Sequence, residues 1–367
     1  MFVSLPRSDQ RRRGEEYVRG LLTTPGRKSI RNIASHTGGE ASIQRLHHFV
    51  AGSTWDWQPI RAALATYLEE AAAPTAWVVH PLAIPKSGEH SVGVGRRFLP
   101  QSGQVTRGQH ALGVWFATPT MSASVNWRLL LPQEWARDSS LRRRAEVPEN
   151  VSYETLEQSA VAAVAQTAAS GVVRQPVLLD IPGAWTDPAV LRSFNELSLP
   201  LVARITASTR LFMANRAMPG FGTGPLAAEQ MLTAVRGLRR RVEWYDFNHG
   251  VRRTSLAVMV QVAPRAAPGR PLYLLGEWDD PWRPPTHIWL TDLAAPVAGL
   301  LRLTKTTLRV RHDLDMVGNR VGLRDFEGRS FPGWHRHTTL ASVAHTACLL
   351  MGTMDSSRAA DCSRLSA

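Results

Sequence analysis

PVLLDIPGAWTDPAVLRSFNELSLPLVARI (residues 176–205) holds two short apolar runs, PVLLD and LPLVARI, on either side of PAVLRSFNEL, whose apolar positions recur at helical spacing. Apolar runs this short, bounded by Pro and Ser, read as buried strands. Strand, helix, strand implies a parallel crossover, because the helix must carry the chain back to the same end of one sheet. The first of the two strands ends in Asp180.

Upstream, Glu154 to Ala169 is Ala-rich and helical. Before it, AWVVHPLAIPKSG (76–88) opens with Trp77, Val78 and Val79, a strand-type run closed by Pro81. SVGVGRRF (91–98), ALGVWFAT (111–118) and SASVNWRLLL (122–131) follow and are expected as three antiparallel neighbours of that first strand. Downstream, RRVEWYDF (240–247), TSLAVMVQV (254–262), PLYLLGEW (271–278) and THIWLTDL (286–293) predict a β-rich insertion over 239–293. From Ala294 the pattern is helical again, and 353–367 reads as a C-terminal tail.

Residues 1–73 read as a basic helical module. One helix runs from Arg11 to about Leu22. GRKSIRNIASHTGGEASIQRLHHFVAG (26–52) gives short helices around a Gly-Gly turn, with Ser29 capping the helix of Ile30 and Ile33, and a third helix spans Trp55 to Leu68.

Hydrophobic residues make up 44% of the 367 and charged residues 20%, a composition for globular domains with their own cores. Lys and Arg number 43 against 30 Asp and Glu, giving a net charge of +13 that favours a polyanionic partner, with nucleic acid first. The bland alternative is a solvated basic surface. The two cysteines, Cys348 and Cys362, form no framework for oxidation, which fits a reducing cytoplasm. The opening residues lack the apolar core of an export signal, and no apolar run is long enough for a membrane helix.

Antiparallel strands, a crossover with an acid at a strand end and a late helix describe an α/β fold with an RNase H-like core: 74–238 and 294–352, interrupted by the β-rich insertion and preceded by the helical module. Four stretches carry a family resemblance: LHHFVAGSTWDW (46–57), IPKSGEHSVGVGRRF (84–98), NWRLLLPQEWARD (126–138) and GLRDFEGRSFPGWHRHTTL (322–340). Through them the chain resembles actinobacterial members of the DDE superfamily of insertion-sequence transposases, from about Phe2 to Leu350.

That resemblance implies two Asp and one Glu converging on two divalent ions about 4 Å apart. Where relatives end the first strand in two aspartates, this chain has His80-Pro81. The second acid matches Asp180, although the turn after it is Ile181-Pro182-Gly183-Ala184 rather than Ala-Gly-Tyr-Gly. Counting back from Gly322 puts Arg311 at the Glu; Asp313 stands nearby, Gly318 takes a Lys position, and Arg324 and Asp325 replace an Asp-His pair. The set at the three acid positions is therefore His80, Asp180 and Arg311. Imidazole is a poor Mg²⁺ ligand and a guanidinium places a fixed charge where the ions belong, so the resemblance is to a nuclease-dead relative that needs no metal.

Alternatives stay open. His80, Asp180 and His312 or Asp313 are a mixed N/O set that Zn²⁺ or Mn²⁺ accepts, giving an active transposase with an atypical site. His80 is otherwise a satisfied pocket histidine, or an ion-pair partner of Asp180 with Arg311 as second counter-ion. The former cleft is also open to reuse for a small molecule or a protein. Expected partners are double-stranded DNA, contacted by Arg11, Arg12, Arg13, Arg27, Lys28 and Arg31 in the helical module and by Lys86, Arg96, Arg97, Arg329, His335 and Arg336 in the core, and a second copy of the chain. Trp334 either stacks on a base or packs its own helix, and the Arg239–Arg241 run is a candidate to track a DNA backbone.

Overall fold

The computed structural model describes residues 1–99, 103–183, 185–263 and 270–365; within these the side chains of 40, 41, 99 and 353–365 are not described. In chain order the elements are α1 (Ser8–Thr23), α2 (Ile30–Thr37), α3 (Glu40–His47), α4 (Gln58–Ala72), β1 (Ala76–Pro85), β2 (Gly95–Leu99), β3 (Gln104–Ala117), β4 (Ser122–Leu129), α5 (Gln133–Arg137), α6 (Ser139–Arg144), α7 (Leu156–Ala168), β5 (Val177–Leu179), α8 (Pro188–Glu196) and β6 (Leu201–Arg204). Then come β7 (Arg210–Met213), β8 (Leu226–Ala227), α9 (Ala228–Ala234), β9 (Arg240–Asp246), β10 (Val251–Ala263), β11 (Leu272–Trp278), β12 (His287–Thr291), α10 (Val297–Thr304), α11 (Thr306–Asp313) and α12 (Phe331–Leu365). Ala184, in the turn after Asp180, lies outside the described residues.

The sheet runs β2-β3-β1-β5-β6-β12-β11-β10-β7-β8, with β4 on β3 and β9 on β10. β5 and β6 are parallel to β1, and β3 is antiparallel to it. This is the mixed sheet of an RNase H-like α/β core. The register corrects one expectation, since of the three expected antiparallel neighbours only β3 adjoins β1, while β2 and β4 share the far edge of β3. SVGVGRRF contributes less strand than its composition implied: β2 starts at Gly95, after a turn.

β1 also runs past Pro81, to Pro85. β5 pairs only with Trp77 to Val79, so beyond that point one edge of β1 is open and the N–H that Pro81 lacks has no ladder to serve. Trp77, Val78, Val79 and Val177–Leu179 are buried on both faces, which is why these strands read as unbroken apolar runs.

The β-rich segment continues the core sheet. β12 pairs antiparallel with β6, Trp289 opposite Arg204, and β10 pairs with β7, which lies before the expected boundary at 238/239. At the other end, the Ser29 hydroxyl caps α2 by accepting from the Asn32 N–H at 3.1 Å. Thr155 and Gln158 form a capping box that fixes the start of α7.

α12 is buried along His335–Thr346 although Thr338, Thr339, Ser342 and Thr346 are polar. Each of these hydroxyls donates to a carbonyl one turn back, so the helix satisfies itself. Ser342 also meets the Trp127 indole and Ser124, both at 2.8 Å. The N-terminal helices close on the other side of α12: the Tyr17 hydroxyl lies 2.9 Å from His337 Nδ1, and buried Arg61 donates to Thr339, Asn126 and the Trp127 carbonyl. The backbone of α12 remains helical through Leu365, across most of the stretch expected as a tail. No helix among the described residues is long and apolar enough to cross a membrane.

Candidate functional site

Register alone places the central residues. Val79 is opposite Leu179, and Leu179 is opposite Ala203, so the next residue on each of the three parallel strands, His80, Asp180 and Arg204, stands in one row, His80 within β1 and the other two at the C-terminal ends of β5 and β6. Asp180 takes its backbone hydrogen bond from Val79, whose carbonyl accepts the Asp180 N–H at 3.1 Å. The turn after Asp180 is held by Trp185, buried, whose indole N–H reaches the Ile181 carbonyl at 2.7 Å. α11 then lays Arg311 across the row.

Asp180 is enclosed by two guanidinium groups and an imidazole. His80 Nδ1 is 3.1 Å from Oδ2, and Arg204 Nη1 is 3.3 Å from Oδ1. Arg311 grips both oxygens, with Nη2 at 3.0 and 2.9 Å and Nε at 3.2 Å from Oδ2. The Asp180 side chain is 1% exposed. Burial by itself raises a carboxyl pKa, but the His80 hydrogen bond and the charges of His80, Arg311 and Arg204 outweigh it and hold Asp180 down to about 2.

The network continues into the β-rich segment. Arg204 Nη2 lies 3.2 Å from His287 Nδ1, and burial followed by the charge of Arg204 lowers the His287 pKa. His287 is opposite Glu277 in the β11–β12 ladder, and Glu277, fully buried, pairs with Lys305 and accepts from the Ser255 hydroxyl at 2.8 Å. Sequence reasoning missed Arg204, His287 and Glu277. A signal for Arg204 was present: LVAR repeats the pattern of VLLD, apolar run then charge, on the next parallel strand.

Asp313 stands apart from this cluster. Its carboxylate accepts from the Ser122 N–H at 2.7 Å and the Ser122 hydroxyl at 2.9 Å, and it is bidentate with Arg309. It therefore caps the start of β4, and the mixed site of His80, Asp180, His312 and Asp313 does not assemble. Among the described residues no group of three or more His, Cys, Asp or Glu is placed to hold a metal. Nor does the donor set at Asp180 fit two divalent ions. One carboxylate is present, and both its oxygens are occupied by guanidinium groups that would repel a cation.

The basic residues expected to meet DNA divide by burial. Arg12, Arg31, Arg96 and Arg329 are exposed, as are Arg240 and Arg241. Arg27 is exposed and pairs with Glu327 at 3.1 Å. Arg11 is partly covered and bonds the Leu5 carbonyl, and Arg13 pairs with Glu16. Arg97 is half-buried, which lowers its pKa, and Lys86 is tied to the Phe326 carbonyl at 2.6 Å. Arg239 lies over the Trp278 ring and donates to the Pro281 carbonyl.

Three of the expected contacts point inward instead. Lys28 is buried, with its ammonium on the Thr24 carbonyl, and burial lowers its pKa. His335 stacks on Trp57 with ring centroids 4.8 Å apart and faces Arg61; burial and that charge hold its pKa well below the usual value. Arg336 donates to the Trp55 carbonyl at 3.0 Å and lies over its ring. His335 and Arg336 tie α12 to the N-terminal segment, while Lys28 folds back on the loop between α1 and α2, so each is engaged within the protein. Trp334 is likewise fully buried and packs its own helix.

Residues 1–226 match the family model described as DDE superfamily endonuclease, a span that includes the helical segment, β1 to β7, His80, Asp180 and Arg204. No curated protein matches the chain. With well over half of its length in the match, the chain belongs to the DDE superfamily endonuclease family.

Proposed function

We propose that this chain binds double-stranded DNA and does not cut it. One observation carries the proposal: the only carboxylate at the three acid positions, Asp180, is held between Arg204, Arg311 and His80. Two guanidinium groups around one carboxylate leave the cleft with a positive surplus, where a working two-metal site needs a negative one. The sign that expels Mg²⁺ attracts a phosphate. Arg311 Nη1 has no partner among the described residues, and its side chain is 39% exposed, so it can take a DNA phosphate directly. Family membership, the net charge of +13 and exposed Arg12, Arg31, Arg96 and Arg329 support the same partner. The activity is occupancy or regulation at chosen sites, with residues 1–73 supplying part of the DNA surface.

The test combines retention of fragmented genomic DNA across a salt series with a nicking assay in Mg²⁺ and Mn²⁺. Retention with a steep log-log salt slope, no nicking and weaker binding by Arg311→Ala are the expected results. Nicking that disappears in Asp180→Ala would establish an active enzyme with an atypical site. Absence of retention at low salt would remove DNA as the partner.

A further inference from the structure

A second site lies away from Asp180, between the β9–β10 hairpin and the α10–α11 corner. The cavity there has a volume of about 380 Å³, within the usual range of roughly 300–1,000 Å³ for small-molecule sites. Tyr245 and Phe247 line it edge to face, with ring centroids 4.8 Å apart. Each is 45% exposed, so flat apolar surface is presented to the cavity instead of being packed away. The frame is rigid: Asn248 Nδ2 donates to the Leu308 carbonyl at 3.0 Å, and Arg309 Nη1 donates to Asn248 Oδ1 at 3.3 Å, latching the hairpin turn to α11.

The charges of the lining sort by their partners. Lys305 is matched by Glu277 and Arg309 by Asp313, while Asp246 is consumed by Arg253 and His249. Two arginines of the lining have no ion-pair partner among the described residues. Arg252 stands directly opposite Tyr245 in the ladder, and Arg302 uses only its Nε, on the Glu243 carbonyl at 3.0 Å. Of the two carboxylates in the lining Asp246 is already paired, which leaves Glu243 against them. An aromatic platform beside two guanidinium forks selects a flat ring with an anionic substituent, by stacking and by paired N–H donors.

We propose that this cavity binds a small planar anion, a single ring system carrying one phosphate or carboxylate, with its face on one of the Tyr245 and Phe247 rings, its edge against the other, and its anionic group on Arg252 and Arg302. The volume fits a mononucleotide or an aromatic acid and excludes a duplex. The site is independent of the DNA reading.

Calorimetric titration of the full chain, free of DNA, with 5′-AMP, salicylate, neutral adenosine and a short single-stranded oligonucleotide tests the proposal. At least one of the two anions binds with Kd below about 1 mM, and adenosine binds at least about tenfold more weakly than 5′-AMP if the nucleotide is the ligand. Binding of 5′-AMP alone identifies a nucleotide source and of salicylate alone a carboxylic acid source. Arg252→Gln and Tyr245→Ala each weaken the bound anion about tenfold, equivalent to roughly 1.4 kcal/mol. Both side chains are surface-exposed, and an unchanged Tm confirms that the variants fold. The proposal is overturned if neither anion saturates, if both variants bind like the parent, or if only the oligonucleotide binds.

Discussion

Replacing Asp180 by Asn keeps the size of the side chain and removes the one charge that Arg204, Arg311 and His80 surround. Holding this carboxyl at about 2 in place of the ordinary 3.8 corresponds to roughly 2–3 kcal/mol of folding stability at neutral pH. Because the folded-state value is depressed, the contribution is complete above the unfolded pKa of 3.8 and is lost as pH falls through 2. About half has gone by about pH 3. Breaking a buried pair costs roughly 3–5 kcal/mol, and the 39% exposure of the Arg311 side chain puts this case at or below the low end, about 2–3 kcal/mol. Urea unfolding of the parent and Asp180→Asn between about pH 7 and about pH 3 reads the difference directly. The gap should be widest at neutral pH and narrow by roughly 1 kcal/mol on acidification. A pH-independent gap, or a variant as stable as the parent, would refute the electrostatic account of the cluster.

His80→Asp with Arg311→Glu restores the missing carboxylates but leaves Arg204 on Asp180, so Mn²⁺-dependent nicking is expected only when Arg204→Ala is added; nicking by the double variant shows that Arg204 is no barrier. Arg12→Ala and Arg31→Ala, both exposed, should each lower the log-log salt slope of DNA binding by roughly 0.9 with Tm unchanged, and an unaltered slope takes them out of the interface. Arg336→Ala does the opposite: thermal unfolding should show a loss of about 1–3 kcal/mol as the Trp55 and Val50 carbonyls lose their donor, and a stable variant with selectively weakened DNA binding contradicts its inward placement. Gly108→Ala sets a Cβ 2.2 Å from the Ile84 carbonyl oxygen across the β1–β3 ladder, so denaturation should register a loss of about 2–4 kcal/mol; a cost under about 1 kcal/mol means that the strands yield easily.

What could be read from the sequence follows from how local each determinant is. β5, α8 and β6 were legible because apolar runs and helical spacing sit in one continuous stretch, and the pairing of His80 with Asp180 was among the alternatives because each follows an apolar strand run. Ser29 declared its cap through position alone. Arg204 left a signal that went unread, whereas its partnership with His287 was not legible, because it depends on β6 pairing with β12, whose residues lie far along the chain. The burial of Lys28, His335 and Arg336 was hidden for a related reason. Cationic residues in a basic chain read as surface until the carbonyls of Thr24, Val50 and Trp55 appear beside them. α12 misleads most, since RHTTLASVAHTA looks amphipathic in composition, yet its hydroxyls return to their own helix and leave every face free to be covered.

The embrace of α12 by the N-terminal helices also sets a timetable. Tyr17 waits for a residue 320 positions later, and Arg61 for one 278 positions later. At a synthesis rate of about 5–20 residues per second, Arg61 spends roughly 15–55 s outside the ribosome before Thr339 exists. Throughout that interval Tyr17 and Arg61, both buried in the folded protein, lack their α12 partners, so release before α12 is made leaves the surface of α1 and α4 that α12 covers open to association.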